Sequence, residues 1–382
     1  MIAVTADIAI TPTGLLQNPI LVVEDGKIIE LTSRSERELP SRHLEYPGCI
    51  LAPGLIDIHI HGGAGFDVMH ASATELAHFE RFIAQHGVTS YLPTTVTAAS
   101  DVILDSVERL GKEVRRREAE AGRARPLGIH LEGPFISHAK RGVHPPDFLQ
   151  AADVQLFDRF FNAANGTMRM MTFAPELPDA QKFIAHAVGR GVIVSLGHSD
   201  ANYEQAWAGI KAGAKTATHT FNAMRPLDHR DPGVLGAALT CDTLFADIIA
   251  DGVHVHPDIV RLFLKMKGDK RAILISDAIS ATGMPDGRYR LGSFEVDVNG
   301  DRCEYEGKLA GSVLTLDRAV RNVVEFGGAA WPLARAVELA TRNPAELLRL
   351  PNKGRFESGA DADIAVFTAS GDVRATIIAG QA

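Results

Sequence analysis

The stretch that decides the fold is Gly54-Leu55-Ile56-Asp57-Ile58-His59-Ile60-His61, an apolar run that ends on two histidines. Side chains alternate between the two faces of a strand, so His59 and His61 point to one side while Ile58 and Ile60 point to the other. Two imidazoles on one face can bind a single divalent cation. A lone pair of this kind is more often structural, so the rest of the chain has to decide between the two interpretations.

Four more apolar runs end on a side chain that could bind a metal ion or carry a proton, namely Glu132, His198, His219 and Asp277. Strands of a parallel sheet end at the same edge, which is how an α/β barrel builds a catalytic metal centre. Taken singly, each residue has another interpretation. Glu132 could form an ion pair, each histidine could be a satisfied polar residue, and Asp277 could cap the segment that follows it. His130, which alternation places beside Glu132, is interpreted as a supporting or packing residue.

Between residues 51 and 350 the apolar runs alternate with helical patterns, which predicts an α/β fold, a (β/α)8 TIM-like barrel. The eight predicted strands are 55–61, 88–96, 126–132, 169–174, 192–197, 214–219, 245–250 and 272–277. The predicted helices include Ala73–His86, Asp101–Ala121, Asp179–Arg190, Asn202–Ala212, Pro257–Lys267, 316–327 and 331–348. A β insertion is expected at 286–307, after the eighth strand.

Both ends of the chain read as short strands separated by turns. Residues 1–50 and 351–382 are therefore predicted to form one small β-sandwich domain beside the barrel domain of residues 51–350. Strands at the two ends of a chain usually meet, and this sheet would join them.

The composition is that of a globular protein with a large core. The chain has 382 residues, of which 46% are hydrophobic, and a formal charge of −8, which argues against binding to nucleic acid or to an anionic membrane. No apolar run reaches the length of a membrane span, and the first residues lack a secretory pattern. Three widely spaced cysteines (Cys49, Cys241 and Cys303) favour a reducing cytoplasm over a disulfide framework.

Several motifs together resemble the N-acetylglucosamine-6-phosphate deacetylase family of the amidohydrolase superfamily, nearly from end to end. The specific ones are Leu131-Glu132-Gly133-Pro134 and His219-Thr220-Phe221-Asn222-Ala223-Met224, whereas the His-x-His pair is shared across the superfamily. Further landmarks are 53–62, 197–199, 249–254, 276–278 and 309–312. The resemblance implies metal-dependent hydrolysis of the acetamide of N-acetylglucosamine 6-phosphate, in amino-sugar catabolism or cell-wall recycling.

The resemblance also implies roles for single residues. Glu132, His198 and His219 match the ligands of the metal ion that all members keep, and His59 and His61 match the ligands of a second ion with Glu132 between the two. The ion is expected to be zinc, with iron, cobalt or manganese as alternatives, and two ions are favoured over one. Asp277 matches the catalytic acid and base, and His144 matches a residue that polarises the acetamide carbonyl.

The remaining matches concern the substrate and the assembly. Residues expected to contact the sugar phosphate are Val143, His144, Asn222, Ala223, Arg230, His254, Leu309, Ala310 and Gly311. Val143 lies at a position that varies within the family and could adjust selectivity. Arg230 and His254 also lie on loops after predicted strands, where a paired arginine and histidine would suit a phosphate, although solvated loop residues are the alternative. Members are commonly homodimers, which implies the same here.

Two other functions compete with this one. A dihydroorotase or hydantoinase would usually bridge two metal ions with a carboxylated lysine on the fourth strand, and the stretch 168–174 contains no lysine. A metal-binding protein without catalysis would need the ligands but no base, and Asp277 argues against it. Release of acetate from an N-acetyl sugar phosphate separates the three.

Overall fold

The structure, a computed structural model, describes residues 1–116 and 119–382. Its strands are β1 (Ile2–Thr11), β2 (Gly14–Gln17), β3 (Pro19–Glu24), β4 (Lys27–Ser33), β5 (His43–Pro53), β6 (Leu55–Ile60), β7 (Gly62–Gly63), β8 (Phe66–Asp67), β9 (Val88–Thr95), β10 (Arg125–Pro126), β11 (Ile129–Glu132), β12 (Met168–Phe173), β13 (Ile193–Leu196), β14 (Thr216–Ala217), β15 (Ala246–Ile249), β16 (Ala272–Ile275), β17 (Gly287–Leu291), β18 (Phe294–Asn299), β19 (Arg302–Tyr305), β20 (Lys308–Leu309), β21 (Ile364–Thr368) and β22 (Val373–Ile377). Its α-helices are α1 (Ala73–Gln85), α2 (Ser100–Val114), α3 (Val154–Ala163), α4 (Ala180–Gly189), α5 (Tyr203–Ala212), α6 (Gly233–Thr240), α7 (Pro257–Arg271), α8 (Leu316–Gly327), α9 (Leu333–Glu338) and α10 (Arg342–Leu347).

Eight parallel strands, each followed by a helix, form the barrel that the sequence predicts. They are β6, β9, β11, β12, β13, β14, β15 and β16, and the helices α1 to α8 follow them in order. A continuous parallel ladder runs from β6 through β9 and β11 to β14, and β15 pairs with β16. Strands such as β6 and β9 are buried along their whole length, as expected where helices cover one face and the barrel core the other.

The ring of strands has two seams that lack regular ladder pairing. We call them the β14/β15 seam and the β16/β6 seam. At the first, the Thr220 N–H donates to the Asp247 carbonyl at 2.8 Å. At the second, the Asp277 N–H donates to the His59 carbonyl at 3.0 Å. The barrel therefore closes through bonds made at the strand ends, next to the residues singled out in the sequence.

The two ends of the chain meet in one sheet. Its strand order is β22-β21-β5-β1-β3-β4, with β2 paired to β1. A separate core of buried apolar side chains, including Val4, Leu21, Leu51 and Ile364, packs against this sheet. The small β domain is thus formed by both termini, and its division from the barrel at residues 50/51 and 350/351 stays a prediction.

Two helices differ most from their predicted bounds, and α7 extends four residues beyond its predicted end, to Arg271. The helix predicted at Asp101–Ala121 ends at Val114, and residues 117 and 118 of that range lie outside the described residues. Beyond Val114 the sequence Arg-Arg-Arg-Glu-Ala-Glu-Ala offers no large apolar side chain that could hold a helix to the barrel. The helix predicted at 331–348 is two helices, α9 and α10. Pro344 has no N–H to donate to the Ala340 carbonyl, which accepts the N–H of Ile56 instead at 2.8 Å.

The predicted β insertion is a four-stranded antiparallel sheet, β17-β18-β19-β20, that begins after the eighth barrel strand. Its first turn is fixed to the barrel because the Gly292 N–H donates to Asp67 Oδ2 at 2.7 Å. Within the described ranges, no helix has both the length and the apolar character that a membrane crossing requires.

Candidate active site

Five barrel strands deliver the predicted side chains to one end of the barrel. His59 lies on β6 and His61 immediately follows it, and Glu132 ends β11. Three further residues lie two positions beyond a strand: His198 after β13, His219 after β14 and Asp277 after β16. These last three have positive φ angles of 47°, 29° and 52°. Non-glycine residues rarely adopt this conformation, and such strained positions cluster at functional sites.

His59, His61 and Asp277 form a first group of donor atoms. The His59 and His61 Nε2 atoms are 3.2 Å apart, and Asp277 Oδ1 lies 3.4 Å from the first and 3.1 Å from the second. Ligands about 2.0–2.1 Å from a tetrahedral zinc ion are roughly 3.3 Å from one another. The three atoms therefore already have the spacing of ligands around one ion, and Asp277, expected to carry protons, lies at ligand distance too.

Glu132 links this group to a second group of donor atoms, which His198 and His219 provide. Its Oε1 atom is 3.1 Å from His219 Nε2, 3.4 Å from His198 Nε2 and 3.4 Å from His59 Nε2. The Glu132 side chain is 97% buried, and its ion-pair partners among the described residues are imidazoles, with no lysine or arginine. A carboxylate this deeply buried is costly without a cation, so the donor set fits a divalent metal ion on the grounds of chemistry and spacing.

The outer nitrogen of three ligand-type histidines is held by a backbone carbonyl. His61 Nδ1 lies 3.0 Å from the Thr94 carbonyl, His198 Nδ1 lies 2.9 Å from the Lys140 carbonyl, and His219 Nδ1 lies 3.2 Å from the Asn222 carbonyl. Because a carbonyl only accepts, each Nδ1 carries a hydrogen, so Nε2 is the nitrogen that can bind a cation at the centre once its own proton is displaced.

His144 has the opposite arrangement. Its Nδ1 accepts the Thr97 N–H at 3.2 Å, so its Nε2 carries the hydrogen and points toward Glu132 Oε2 at 3.7 Å. Burial, aided by the charge of His198, lowers the pKa of His144 to about 3. His144 is thus a neutral hydrogen-bond donor at the edge of the cluster, whereas the other three are lone-pair donors. The resemblance already implied a separate role for His144, and the fold adds the tautomer of its ring.

The charges of the site favour a cation at its centre. Burial opposes ionisation of Asp277, but the His59 and His61 rings outweigh it and hold the pKa of this carboxyl at about 2. Burial likewise opposes protonation of His61 and His219, but other interactions outweigh it. Hydrogen bonds to Asp277 and Glu132 raise the pKa of His61 to about 10, and a hydrogen bond to Glu132 with the nearby charge of Asp277 raises the pKa of His219 to about 9. Two carboxylates therefore remain ionised here and draw positive charge to the imidazoles.

The cluster forms the floor of a cavity of about 160 Å³. Of the residues predicted to contact substrate, all but one line it: Val143, His144, Asn222, Ala223, His254, Leu309, Ala310 and Gly311. Asn222 Nδ2 is buried without a hydrogen-bond partner among the described residues, and the His254 ring is fixed by Asp251 at 2.7 Å. These groups can bind oxygen atoms of a ligand.

Arg230 is the predicted residue that does not reach the cavity. It is exposed on the loop between β14 and α6, where its backbone N–H donates to Asp228 Oδ1 at 2.8 Å. On the same loop, Arg225 pairs with Asp231 at 2.6 Å, which fixes the course of the chain on either side of Arg230. Among the described residues of a single chain, His254 therefore lines the cavity and Arg230 does not.

Sequence reasoning missed an apolar wall of the cavity made of Val96, Ile249, Leu291 and Phe294. Val96 ends one predicted strand and Ile249 is the next-to-last residue of another, so their position was available from the pattern. Leu291 and Phe294 belong to the β insertion, and no sequence signal says that this sheet folds over the barrel mouth. Asp57 and Asp247 were missed as well, although an acid inside an apolar strand is a usable signal.

The family model described as "Amidohydrolase family" matches residues 50–382. N-acetylglucosamine-6-phosphate deacetylase of Bacillus subtilis (strain 168) is 36% identical over 379 residues, covering 98% of this chain and 95% of the relative. N-acetylgalactosamine-6-phosphate deacetylase of Escherichia coli O157:H7 is 36% identical over 374 residues, covering 97% and 96%. A solved structure of a mutant N-acetyl-D-glucosamine-6-phosphate deacetylase from Mycobacterium smegmatis, in complex with N-acetyl-D-glucosamine-6-phosphate, superposes with a TM-score of 0.92 at 36% identity and covers 100% of this chain and 98% of its own.

Proposed function

The chain belongs to the amidohydrolase family, and from that premise we propose that it hydrolyses the acetamide of N-acetylglucosamine 6-phosphate to acetate and glucosamine 6-phosphate. The observation that carries the proposal is the meeting, on one cavity floor, of two donor groups that share Glu132, a neutral N–H donor in His144 and an ionised carboxylate in Asp277. Together these are the parts that hydrolysis of an unactivated amide requires.

We propose that His198, His219 and Glu132 hold one ion and that His59, His61 and Asp277 hold a second, with Glu132 between them. Imidazole and carboxylate donors suit zinc, and they also suit iron, cobalt and manganese. A bound divalent ion would polarise the acetamide carbonyl and lower the pKa of the attacking water. The metal-binding groups are the part of the site that the spacing of donor atoms supports most directly.

The proton transfers and the stabilisation of the carbonyl oxygen fall to residues of the chain. Water adds to the carbonyl carbon, and Asp277 accepts its proton. The His144 Nε2–H donates to the carbonyl oxygen as negative charge develops on it. Asp277 passes the proton to the departing nitrogen, so that the C–N bond breaks to give an amine in place of an amide anion. Acetate keeps the oxygen of the water.

The sugar phosphate would lie between the loops after β14 and β15 and the segment after β20. We propose that the unpartnered Asn222 Nδ2, the Ala223 backbone and the His254 ring hold its oxygen atoms. Leu309, Ala310, Gly311 and Val143 would close the cavity around the sugar. Arg230 and the homodimer remain predictions, as does a cytoplasmic location.

The assay that tests the proposal measures acetate and free amine released from N-acetylglucosamine 6-phosphate by the metal-loaded protein. N-acetylgalactosamine 6-phosphate belongs beside it, because a relative of equal identity bears that name. Equal yields of acetate and amine sugar phosphate are expected from at least the glucosamine isomer. Cleavage of dihydroorotate or hydantoin without acetate release would favour the competing amidohydrolase assignment, and no turnover of any amide would leave a metal-binding protein.

A further inference from the structure

Two buried aspartates lie at the two seams of the barrel, one at each. Asp57 is on β6, at the β16/β6 seam, and Asp247 is on β15, at the β14/β15 seam. Both side chains belong to fully buried residues. Neither is paired with a lysine or arginine among the described residues, and in each the Oδ2 atom has no hydrogen-bond partner there. Such acids are costly to bury, so a purely structural seam would be better filled by an apolar side chain.

At the β16/β6 seam, the lower halves of the two strands bond to another segment and not to each other. The Leu274 N–H donates to the Leu339 carbonyl at 3.0 Å, and the Ile56 N–H donates to the Ala340 carbonyl at 2.8 Å. Nearer the strand ends that carry the site, Asp57 Oδ1 on β6 accepts the N–H of Ser276, across the seam, at 3.4 Å. The same oxygen accepts the His59 N–H at 3.2 Å.

Asp57 Oδ1 thus accepts the backbone N–H groups of two residues at the cluster of donor atoms, Ser276 and His59. Ser276 immediately precedes Asp277, and His59 is itself a member of the first donor group. The position of Asp277 Oδ1 relative to His59 Nε2 depends on how these two strand ends sit against each other. Asp57 fixes the relative position of these two strand ends through its bonds to both.

The β14/β15 seam repeats the arrangement. Asp247 Oδ1 accepts the N–H of His219, across the seam from its own strand. The Asp247 carbonyl accepts the Thr220 N–H at 2.8 Å. Two consecutive peptides after β14 are therefore held by one residue of β15. The first of these peptides belongs to His219, whose side chain is one of the donors of the second group and whose φ is the strained value of 29°.

We propose that Asp57 and Asp247 are positioning residues, whose carboxylate oxygens hold the strand ends that carry His59, Asp277 and His219 at metal-binding separation. The role is that of an acceptor for backbone N–H groups, so an amide oxygen at the same place fulfils it in part. This inference rests on the proposed metal site and adds residues to it that touch neither the ion nor the substrate.

The experiment compares alanine and asparagine variants at both positions with wild type. Removal of residues that support metal ligands typically costs about 10–100-fold in metal affinity. We expect Asp57→Ala and Asp247→Ala to weaken Zn²⁺ binding by at least about tenfold in a chelator competition, and to lower kcat while KM stays within about threefold. Asp57→Asn and Asp247→Asn should recover most of the lost affinity, because the acceptor oxygen remains.

A matched control is Glu80→Gln. Glu80 is as fully buried, accepts the Tyr91 hydroxyl at 2.8 Å and lies outside the cavity lining, with no bond to a cluster residue among those described. Its change should lower Tm and leave Zn²⁺ affinity as it is. A role in folding alone would make the seam variants behave like this control, with reduced Tm and unchanged affinity.

Three outcomes overturn the proposal. They are wild-type Zn²⁺ affinity in folded alanine variants, asparagine variants that lose as much affinity as alanine, and an affinity loss in Glu80→Gln equal to that in the seam variants. If the alanine variants do not fold, the asparagine variants decide, because a folded one that keeps less than about a tenth of the wild-type affinity also contradicts the proposal. Zn²⁺ affinity is measured without substrate, so a failure of the deacetylase assignment would show in wild-type turnover and leave this comparison intact.

Discussion

Replacing Asp277 by asparagine should remove the proton transfer while keeping the shape of the site. The side chain is nearly isosteric, and the backbone bonds that fix it do not involve the carboxylate: the Asp277 N–H donates to the His59 carbonyl at 3.0 Å, and its own carbonyl accepts the Ser312 N–H at 2.8 Å. The pKa of about 2 means that the carboxylate is ionised and ready to accept a proton at any neutral pH, which an amide cannot do.

The expected loss follows from what a positioned acid–base group contributes. General acid–base catalysis is worth about 10²–10⁴ in rate, which is roughly 2.7–5.4 kcal/mol at about 1.36 kcal/mol per tenfold change. Asp277 Oδ1 also lies 3.1 Å from His61 Nε2 and is a proposed ligand of the second ion, so the variant loses one charged ligand oxygen in addition. We therefore expect kcat for acetate release to fall at least a hundredfold, with KM changed much less.

The assay is steady-state acetate release, with metal content measured on the same sample. Asp317→Asn is the control, since Asp317 is a buried aspartate with the same pKa of about 2, held by His86 and by Arg321 at 2.8 Å, and it does not line the cavity. Its carboxylate stabilises the fold in its ionised form, a contribution present above the unfolded pKa and lost as pH falls toward 2. The control should thus lose roughly 2 kcal/mol of stability at neutral pH and keep its turnover. A fully metallated Asp277→Asn with kcat within about tenfold of wild type would refute the proton-transfer role.

Three more outcomes are expected. Elemental analysis after loading should approach two ions per chain and fall to one when His59 and His61 are both changed to asparagine; saturation of the native protein at one ion would show that these histidines only line the site. N-acetylglucosamine 6-phosphate should exceed N-acetylglucosamine in kcat/KM by at least about a hundredfold. His254→Ala should reduce that preference more than Arg230→Ala does. The reverse order would show that the phosphate does not bind at His254. Metal binding should release protons and weaken as pH falls, because the ion displaces protons from imidazoles such as His61, whose pKa is raised to about 10. Calorimetry in buffers of different ionisation enthalpy should find that His61→Asn releases about one proton fewer than wild type. His144→Gln should release as many as wild type, because the pKa of about 3 already leaves His144 neutral.

The barrel and the strand-end ligands were readable from the sequence because both follow from short-range rules. Apolar runs spaced by helical patterns predict the eight strands, and alternation places His59 and His61 on one face. Parallel strands end at one edge, which brought Glu132, His198 and His219 together without any knowledge of the distances.

What the sequence did not yield depends on contacts between distant segments. The tautomer of His144 is set by the Thr97 N–H, 47 positions away, so it could only come from the fold, although the resemblance already implied a separate role for this histidine. The break between α9 and α10 was readable from Pro344, but the bond of the Ala340 carbonyl to Ile56, on the first barrel strand, was not. Arg230 was expected at the cavity because it follows a strand, but a loop position does not fix the direction of a side chain.

The most direct measurement follows acetate release while metal-free protein is titrated with Zn²⁺, using N-acetylglucosamine 6-phosphate as substrate and Glu132→Gln beside wild type. The metal-free protein should not turn over. Wild type should gain activity in proportion to the ion bound, whereas Glu132→Gln, which lacks the carboxylate that joins both donor groups, should gain little at the same concentrations. Undiminished acetate release by the metal-free protein, or full recovery by Glu132→Gln, would contradict a metal-dependent deacetylase centred on Glu132.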